Sequence, residues 1–283
     1  AVNSLVISSD TKQRVNEVTH EIQPSVIASM QLLNVLKDTS TAMGIFLMTT
    51  EAVHEESYKA NLAKLGKALV ELEEIPAVKN NAEAKNSVVE IGKDIKEFMA
   101  YENKLVPLTK NINDNYLAFK YASDHLSPLN DEMFLHVANM LTSEKEETAN
   151  AKRKKLFNDL SELRFAWANV IINARIYLMF GNEDVLKNVK LFLGHTKELI
   201  SNIGAQKDIL TFEQQEAVDL LEPLRAKWEE KLTGLVNIHR SDKVRIDSYL
   251  LRTEIGPLLT RIDDSLKKFV DVQLKTIFNT SAA

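Results

Sequence analysis

The sequence predicts an all-α protein, and three observations carry that expectation. Breakers are scarce: 8 glycines and 6 prolines stand in 283 residues, well under the ~12% average usage of the two together. That leaves too few for the turns of an all-β chain. Apolar residues recur at gaps built from threes and fours over long stretches, the spacing of a helix seam. No alternating strand pattern competes with it. Helices this long need partners, and two very long ones do not fit one short bundle. The fold expected is therefore six helices forming two stacked antiparallel four-helix bundles that share long helices.

The first helix is expected from about Asp10 to Thr49, with Ser9–Asp10 as N-cap and a kink at Pro24. Its stripe is Val15, Val18, Ile22, Val26, Leu33, Leu36, Met43 and Leu47, with Ser29 on the same line. A second helix runs from Glu51 to about Glu74, ended by Ile75–Pro76. The third runs from about Ala82 to Ala122, kinked at Pro107. Asp124-His-Leu-Ser-Pro-Leu-Asn130 reads as the clearest loop. A fourth helix follows from about Asp131 to Phe180. Its seam, Leu156, Leu160, Leu163, Trp167, Val170, Ala174 and Tyr177, has gaps of 4, 3, 4, 3, 4 and 3, and Gly181 closes it as a C′ glycine. The fifth covers about Glu183 to Ile203, stopped by Gly204. The last opens on the capping box Thr211-Phe-Glu-Gln214, breaks near Asn237 to Asp242 and continues to about Ile277.

Two internal correspondences stand out. Met43-Gly-Ile-Phe-Leu-Met-Thr-Thr-Glu51 resembles Ala174-Arg-Ile-Tyr-Leu-Met-Phe-Gly-Asn182, each ending a long helix. Glu21-Ile-Gln-Pro24 and Glu254-Ile-Gly-Pro257 lie at similar distances, ~35–40 Å along a helix, from the two chain ends. If both ends sit on one surface, these prolines are level, as in a segment hung from two adjacent membrane spans.

Composition excludes several functions. The formal net charge is −5, from 35 basic and 40 acidic side chains, which disfavours general nucleic-acid binding. With no cysteine, disulfide scaffolds, thiolate metal sites and a Cys nucleophile are out. No apolar run reaches the 18 residues of a membrane span. Residues Ala1 to Asp10 lack the basic region of a signal peptide. The chain reads as an excised segment whose flanking spans lie outside it. Glu17/His20 and Glu51/His54 have the Glu-x-x-His spacing of a di-iron site, but ~45 Å of helix separates the two histidines, so they share no metal. The acidic then basic run Glu144–Lys155 has no favourable ion-pair spacing and reads as a solvated face. Trp167 and Trp228 are expected in the core. No phosphate-binding, dinucleotide, zinc-protease or serine-hydrolase motif occurs. No catalytic residue, metal or cofactor is expected, and the chain is read as no enzyme.

The stretches Ile45-Phe-Leu-Met-Thr-Thr-Glu51, Leu163-Arg-Phe-Ala-Trp167, Asn173-Ala-Arg-Ile-Tyr-Leu-Met-Phe-Gly-Asn-Glu183 and Arg252-Thr-Glu-Ile-Gly-Pro-Leu-Leu259 together resemble the extracytoplasmic ligand-binding domain of bacterial methyl-accepting chemoreceptors, in its helical bimodular form. The resemblance implies a periplasmic sensor between two spans, a homodimer, and binding of a small organic anion inside a bundle. It implies a membrane-proximal bundle holding both chain ends and a distal one over roughly residues 50–150. Related domains sit on histidine kinases and diguanylate cyclases, and some recognise a periplasmic binding protein instead of a free ligand.

Arginine is scarce, 9 residues within the 35 basic ones, and its planar fork suits a carboxylate. Arg164 and Arg175 are 11 residues apart, on one side of the fourth helix. A guanidinium beside a seam either snorkels outward or turns in. Guided by the resemblance, Arg14, Arg164, Arg175, Arg252 and Thr253 are the expected ligand-binding residues, clamping the anion in the membrane-proximal bundle.

Overall fold

The computed structural model describes residues 11–282. Among these there is no strand. The helices are α1 (Gln23–Thr49), α2 (Ala52–Glu73), α3 (Pro76–Lys79), α4 (Ala82–Ala100), α5 (Glu102–Lys110), α6 (Ile112–Asn115), α7 (Leu117–Tyr121), α8 (Ser127–Glu146), α9 (Ala151–Phe180), α10 (Glu183–Gly204), α11 (Phe212–His239), α12 (Ile246–Leu250) and α13 (Gly256–Ala282). The all-α expectation holds. The Ser9–Asp10 cap lies outside the described residues.

Three π-helical turns, Glu17–Ile22, Ala122–Leu126 and Leu251–Ile255, lead into α1, α8 and α13. Each ends two residues before a proline. Gln23, Ser127 and Gly256 donate their N–H five residues back, to Val18, Ala122 and Leu251, and Pro24, Pro128 and Pro257 follow. A proline ring collides with the carbonyl four residues earlier in an α-helix. Widening the turn by one residue removes that collision without ending the helix. At Gly256 the backbone approaches closely enough that a Cβ would lie 2.8 Å from the Leu251 carbonyl oxygen, whereas Gln23 and Ser127 carry side chains at the equivalent position. The same effect corrects the reading of Asp124 to Asn130: that stretch is helical, with Pro128 in the first turn of α8.

The chain forms two compact units, Ala1–Asn111 with Asp247–Ala283, and Ile112–Ile246. In the first, α1 packs on α2, α2 on α4, α4 on α13 and α13 on α1, a closed ring. The α1–α2 hairpin turns at Thr50. Across it the Phe46 and Tyr58 rings stack at 6.0 Å, and Thr39 Oγ1 donates to the Asn61 carbonyl at 3.2 Å. Arg261 on α13 grips Asp94 on α4 through Nε and Nη2, at 2.8 and 2.9 Å. Tyr101, between α4 and α5, donates to Glu254 at 2.6 Å. Ser25 on α1 donates to Gln273 on α13 at 3.3 Å. These pairings run α1 and α13 antiparallel and side by side. They also correct the proline symmetry. Pro24 is level with the region of Gln273, so Pro257 stands 16 residues away along α13, ~24 Å.

The second unit closes the same way: α8 on α9, α9 on α10, α10 on α11 and α11 on α8. All seven seam residues of α9 are buried, and Trp167 meets Trp228 edge to face at 5.6 Å. The expected single helix from Asp131 to Phe180 breaks, because Glu147 and Asn150 are extended and Asn150 caps α9 by accepting from the Arg153 amide. The break also corrects the reading of the charged run. Arg153 folds back onto Glu144 at 2.9 Å and Glu147 at 3.2 Å, so the acidic and basic blocks do brace each other. Similarly, the expected helix from Ala82 to Ala122 is interrupted by extended backbone at Asn111 and Tyr116. The division of the chain differs from the one expected. Residues 52–110 belong with the helices that lead to the chain ends, because α2 folds back along α1 and α4 lies on α13. The other unit is 112–246, not roughly 50–150.

Candidate functional site

In the second unit, two helix faces enclose a groove of about 240 Å³. Ser127, Asn130, Asp131 and Phe134 of α8 line one wall, at the i, i+3, i+4, i+7 positions of a single helical face. Ala168, Ile171, Ile172 and Arg175 of α9 line the other with the same spacing. Phe134, Ala168, Ile171 and Ile172 make the groove largely apolar. Its polar groups are few and fixed in kind: one guanidinium, one carboxylate, one amide and one hydroxyl.

The amide is oriented from below. Trp228 Nε1 donates to Asn130 Oδ1 at 2.8 Å, and Trp228 is itself held by its contact with Trp167. An indole N–H only donates, so the oxygen faces Trp228 and the amide nitrogen points away, leaving its donors available. Arg175 and Asp131 are exposed. Among the described residues neither side chain has an ion pair or hydrogen bond, with each other or with anything else.

Of the five residues expected to bind ligand, Arg175 lines the α8–α9 groove. Arg164 shares its face of α9 but is exposed on the surface. Both belong to the second unit, not to the one that carries the chain ends. Arg14, Arg252 and Thr253 belong to the first unit. Arg14 is half-buried, and Arg252 and Thr253 are exposed; Thr253 Oγ1 donates to the Tyr249 carbonyl at 2.8 Å. From the Ser25–Gln273 pairing, Arg14 and Arg252 stand at opposite ends of their unit, roughly 48 Å apart along the helices. The five therefore do not converge. Seam proximity showed that each sits beside a buried row, but a residue next to a seam takes either face. Ser127 and Asn130 lie in the stretch that reads as loop, and Asp131 reads only as the start of the fourth helix. The signal that would have found them is a proline placed to start a helix, followed by that one-face spacing.

The first unit carries a larger groove of about 680 Å³ between the α3–α4 region and α13. Amides dominate its polar lining, with Asn80, Asn86 and Gln273, and its charges are Glu83, Glu90 and Lys268. Two carboxylates against one ammonium repel an anion. This groove does not suit an organic acid.

Buried polarity elsewhere is structural. Glu144 accepts from Arg153 at 2.9 Å and from Gln214 at 3.0 Å, and Gln214 also donates to the Met140 carbonyl at 3.1 Å. Thr211 and Gln214 complete the expected capping box. Arg225 is held by Glu222 and Glu229 of its own helix. Among the described residues no group of three or more His, Asp or Glu side chains is placed to hold a metal ion. No helix among them is long and apolar enough to cross a membrane.

No family model matches the chain, and no solved structure matches it. Among curated proteins it is similar to intermediate filament protein A of Ascaris suum, 26% identical over 157 residues, which cover 54% of this chain and 27% of that protein. The chain thus spans about a quarter of the length of that relative. Similarity at this level does not assign it to a family.

Proposed function

We propose that this chain is the ligand-binding sensor region of a bacterial transmembrane chemoreceptor, a non-enzymatic periplasmic segment that binds a small organic acid. The fold we infer for it is two stacked antiparallel four-helix bundles. The ring of four helices in each unit supports that reading. The observation that carries it is the antiparallel pairing of α1 and α13, joined by Ser25 and Gln273. The outermost long helices lie side by side, as a domain hung between two spans requires. Binding would bias two arrangements of these helices, and a shift of ~1–2 Å between them is enough to pass a signal. The π-helical turn at Leu251–Ile255 gives the last helix a place to absorb such a shift. The acid would sit in the groove of the second unit, where Arg175 is the cation. A homodimer would cover exposed apolar residues of α9 such as Phe165, Met179 and Phe180.

Two measurements test this. Thermal-shift assays over small carboxylic acids should show a raised melting temperature, since a ligand at 100 times its Kd adds ~2.7 kcal/mol. A chimera with this chain between the spans and cytoplasmic region of a known chemoreceptor should respond to the same compounds. A flat response in both would sink the receptor reading.

A further inference from the structure

Resting on that sensor reading, we infer that the groove between α8 and α9 is built for a zwitterion of the α-amino-acid type with an apolar side chain, and not for a simple anion. The groove presents two opposite charges, Arg175 and Asp131, on facing helices. They are not paired with each other or with any other described group. A guanidinium and a carboxylate that share a groove without closing on one another leave a place for a molecule carrying both complementary charges. An α-amino acid presents its carboxylate to Arg175 as a bidentate partner and its ammonium to Asp131.

The neutral groups fit the same occupant. Asn130 has its oxygen engaged by Trp228 at 2.8 Å, so it offers the groove donors only, which suits a carboxylate and not an ammonium. Phe134, Ala168, Ile171 and Ile172 supply an apolar wall for a side chain. A volume of about 240 Å³ lies below the ~300–1,000 Å³ of drug-sized sites, as a metabolite of around ten heavy atoms needs. A dicarboxylate fits less well. Its second carboxylate would find Asp131 and no second cation, since no other arginine or lysine lines the groove.

The test uses matched probes on the purified chain, with calorimetry and thermal shift as readouts. Apolar α-amino acids such as leucine are compared with the same skeleton lacking the ammonium (4-methylpentanoate), the same skeleton lacking the carboxylate (3-methylbutylamine), and succinate. The amino acid should bind and the two truncated probes should bind at least about tenfold more weakly, the value of one charged hydrogen-bonded contact. Arg175→Ala should weaken the amino acid by on the order of tenfold to a hundredfold. Asp131→Asn should reverse the preference, so that 4-methylpentanoate binds as well as leucine or better. Both side chains are exposed, so circular dichroism should show an unchanged fold.

If succinate or 4-methylpentanoate binds best, depends on Arg175 and is indifferent to Asp131→Asn, the zwitterion inference is overturned and the acid-sensor reading stands. Undiminished binding of leucine or of either carboxylate probe in Arg175→Ala overturns the site. If no apolar amino acid binds, the inference fails, and the broader acid panel and the chimera then decide the sensor reading separately.

Discussion

Two hairpins, one in each unit, use nearly the same backbone with different residues. The correspondence between Met43–Glu51 and Ala174–Asn182 extends to geometry. Thr50 and Gly181 both adopt the left-handed conformation, with φ of 57° and 64°. Both donate to the carbonyl four residues back, Phe46 and Tyr177, and both of those aromatics are buried. Glu51 and Asn182 then serve as extended N-caps of the following helix. Glycine adopts that conformation without cost, whereas a β-branched threonine is strained there. Asn182 accepts from the Asp184 amide, whereas the Glu51 side chain makes no capping bond. The hairpin of the second unit is therefore the better stabilised of the two. Both units bury polar groups, and each buries a carboxylate, Asp247 in the first and Glu144 in the second. In the first, buried hydroxyls bond the preceding turn, Ser25 to the Ile22 carbonyl and Ser29 to the Ser25 carbonyl, and Ser25 and Thr39 also reach Gln273 and the Asn61 carbonyl on neighbouring helices. In the second, Glu144 is held by residues of two other helices.

That contrast can be tested, beginning with its largest consequence. Arg153→Ala leaves Glu144 buried with only Gln214 as a neutral donor, and should destabilise by ~3 kcal/mol. Urea unfolding measures it, and a loss under 1 kcal/mol would mean the charge is not confined as described. Gly181→Ala should cost ~2 kcal/mol, because it combines the left-handed strain with a Cβ 2.7 Å from His239 Cε1. The midpoint of denaturant unfolding reports this.

An alkaline effect belongs to the first unit. Burial, and then the bond to Glu254, push the Tyr101 hydroxyl up to about 12. An unfolded tyrosine ionises near ~10. Its contribution is therefore fully present below pH ~10 and is lost as pH rises toward 12. Tyr101→Phe should lower stability by ~1 kcal/mol at pH 8 and flatten the fall above pH 10, followed by urea midpoints across that range. The smallest effect is a gain. Thr50→Gly should stabilise by up to ~1 kcal/mol, and no gain would mean the threonine hairpin is not strained.

Much of this was legible residue by residue. The Leu156–Tyr177 seam, the Gly181 stop and the Thr211–Gln214 box are all where the spacing placed them, since each is written in a few consecutive side chains. The break at Glu147–Asn150 was hidden because it contains neither glycine nor proline. Its one signal is Asn150 ahead of a helical run. The groove was hidden for the opposite reason: proline at 128 suggested a loop, but a π-helical turn absorbed it. Arg175 was found as a candidate, but Asp131 and Asn130, which define what it faces, were not.

By itself the sequence determined much of the local conformation: the long helical seams, the Thr211–Gln214 cap and the left-handed stop at Gly181. A helical repeat records which face of an element is buried, because burial selects side chains one turn at a time. It does not record which element covers that face. Tertiary structure alone decided that α2 and α4 close on the helices leading to the chain ends, that the five expected residues are scattered, and that Arg175 stands across a groove from Asp131. Those outcomes depend on pairings between residues far apart in the chain, and the spacing of neighbours carries no trace of them.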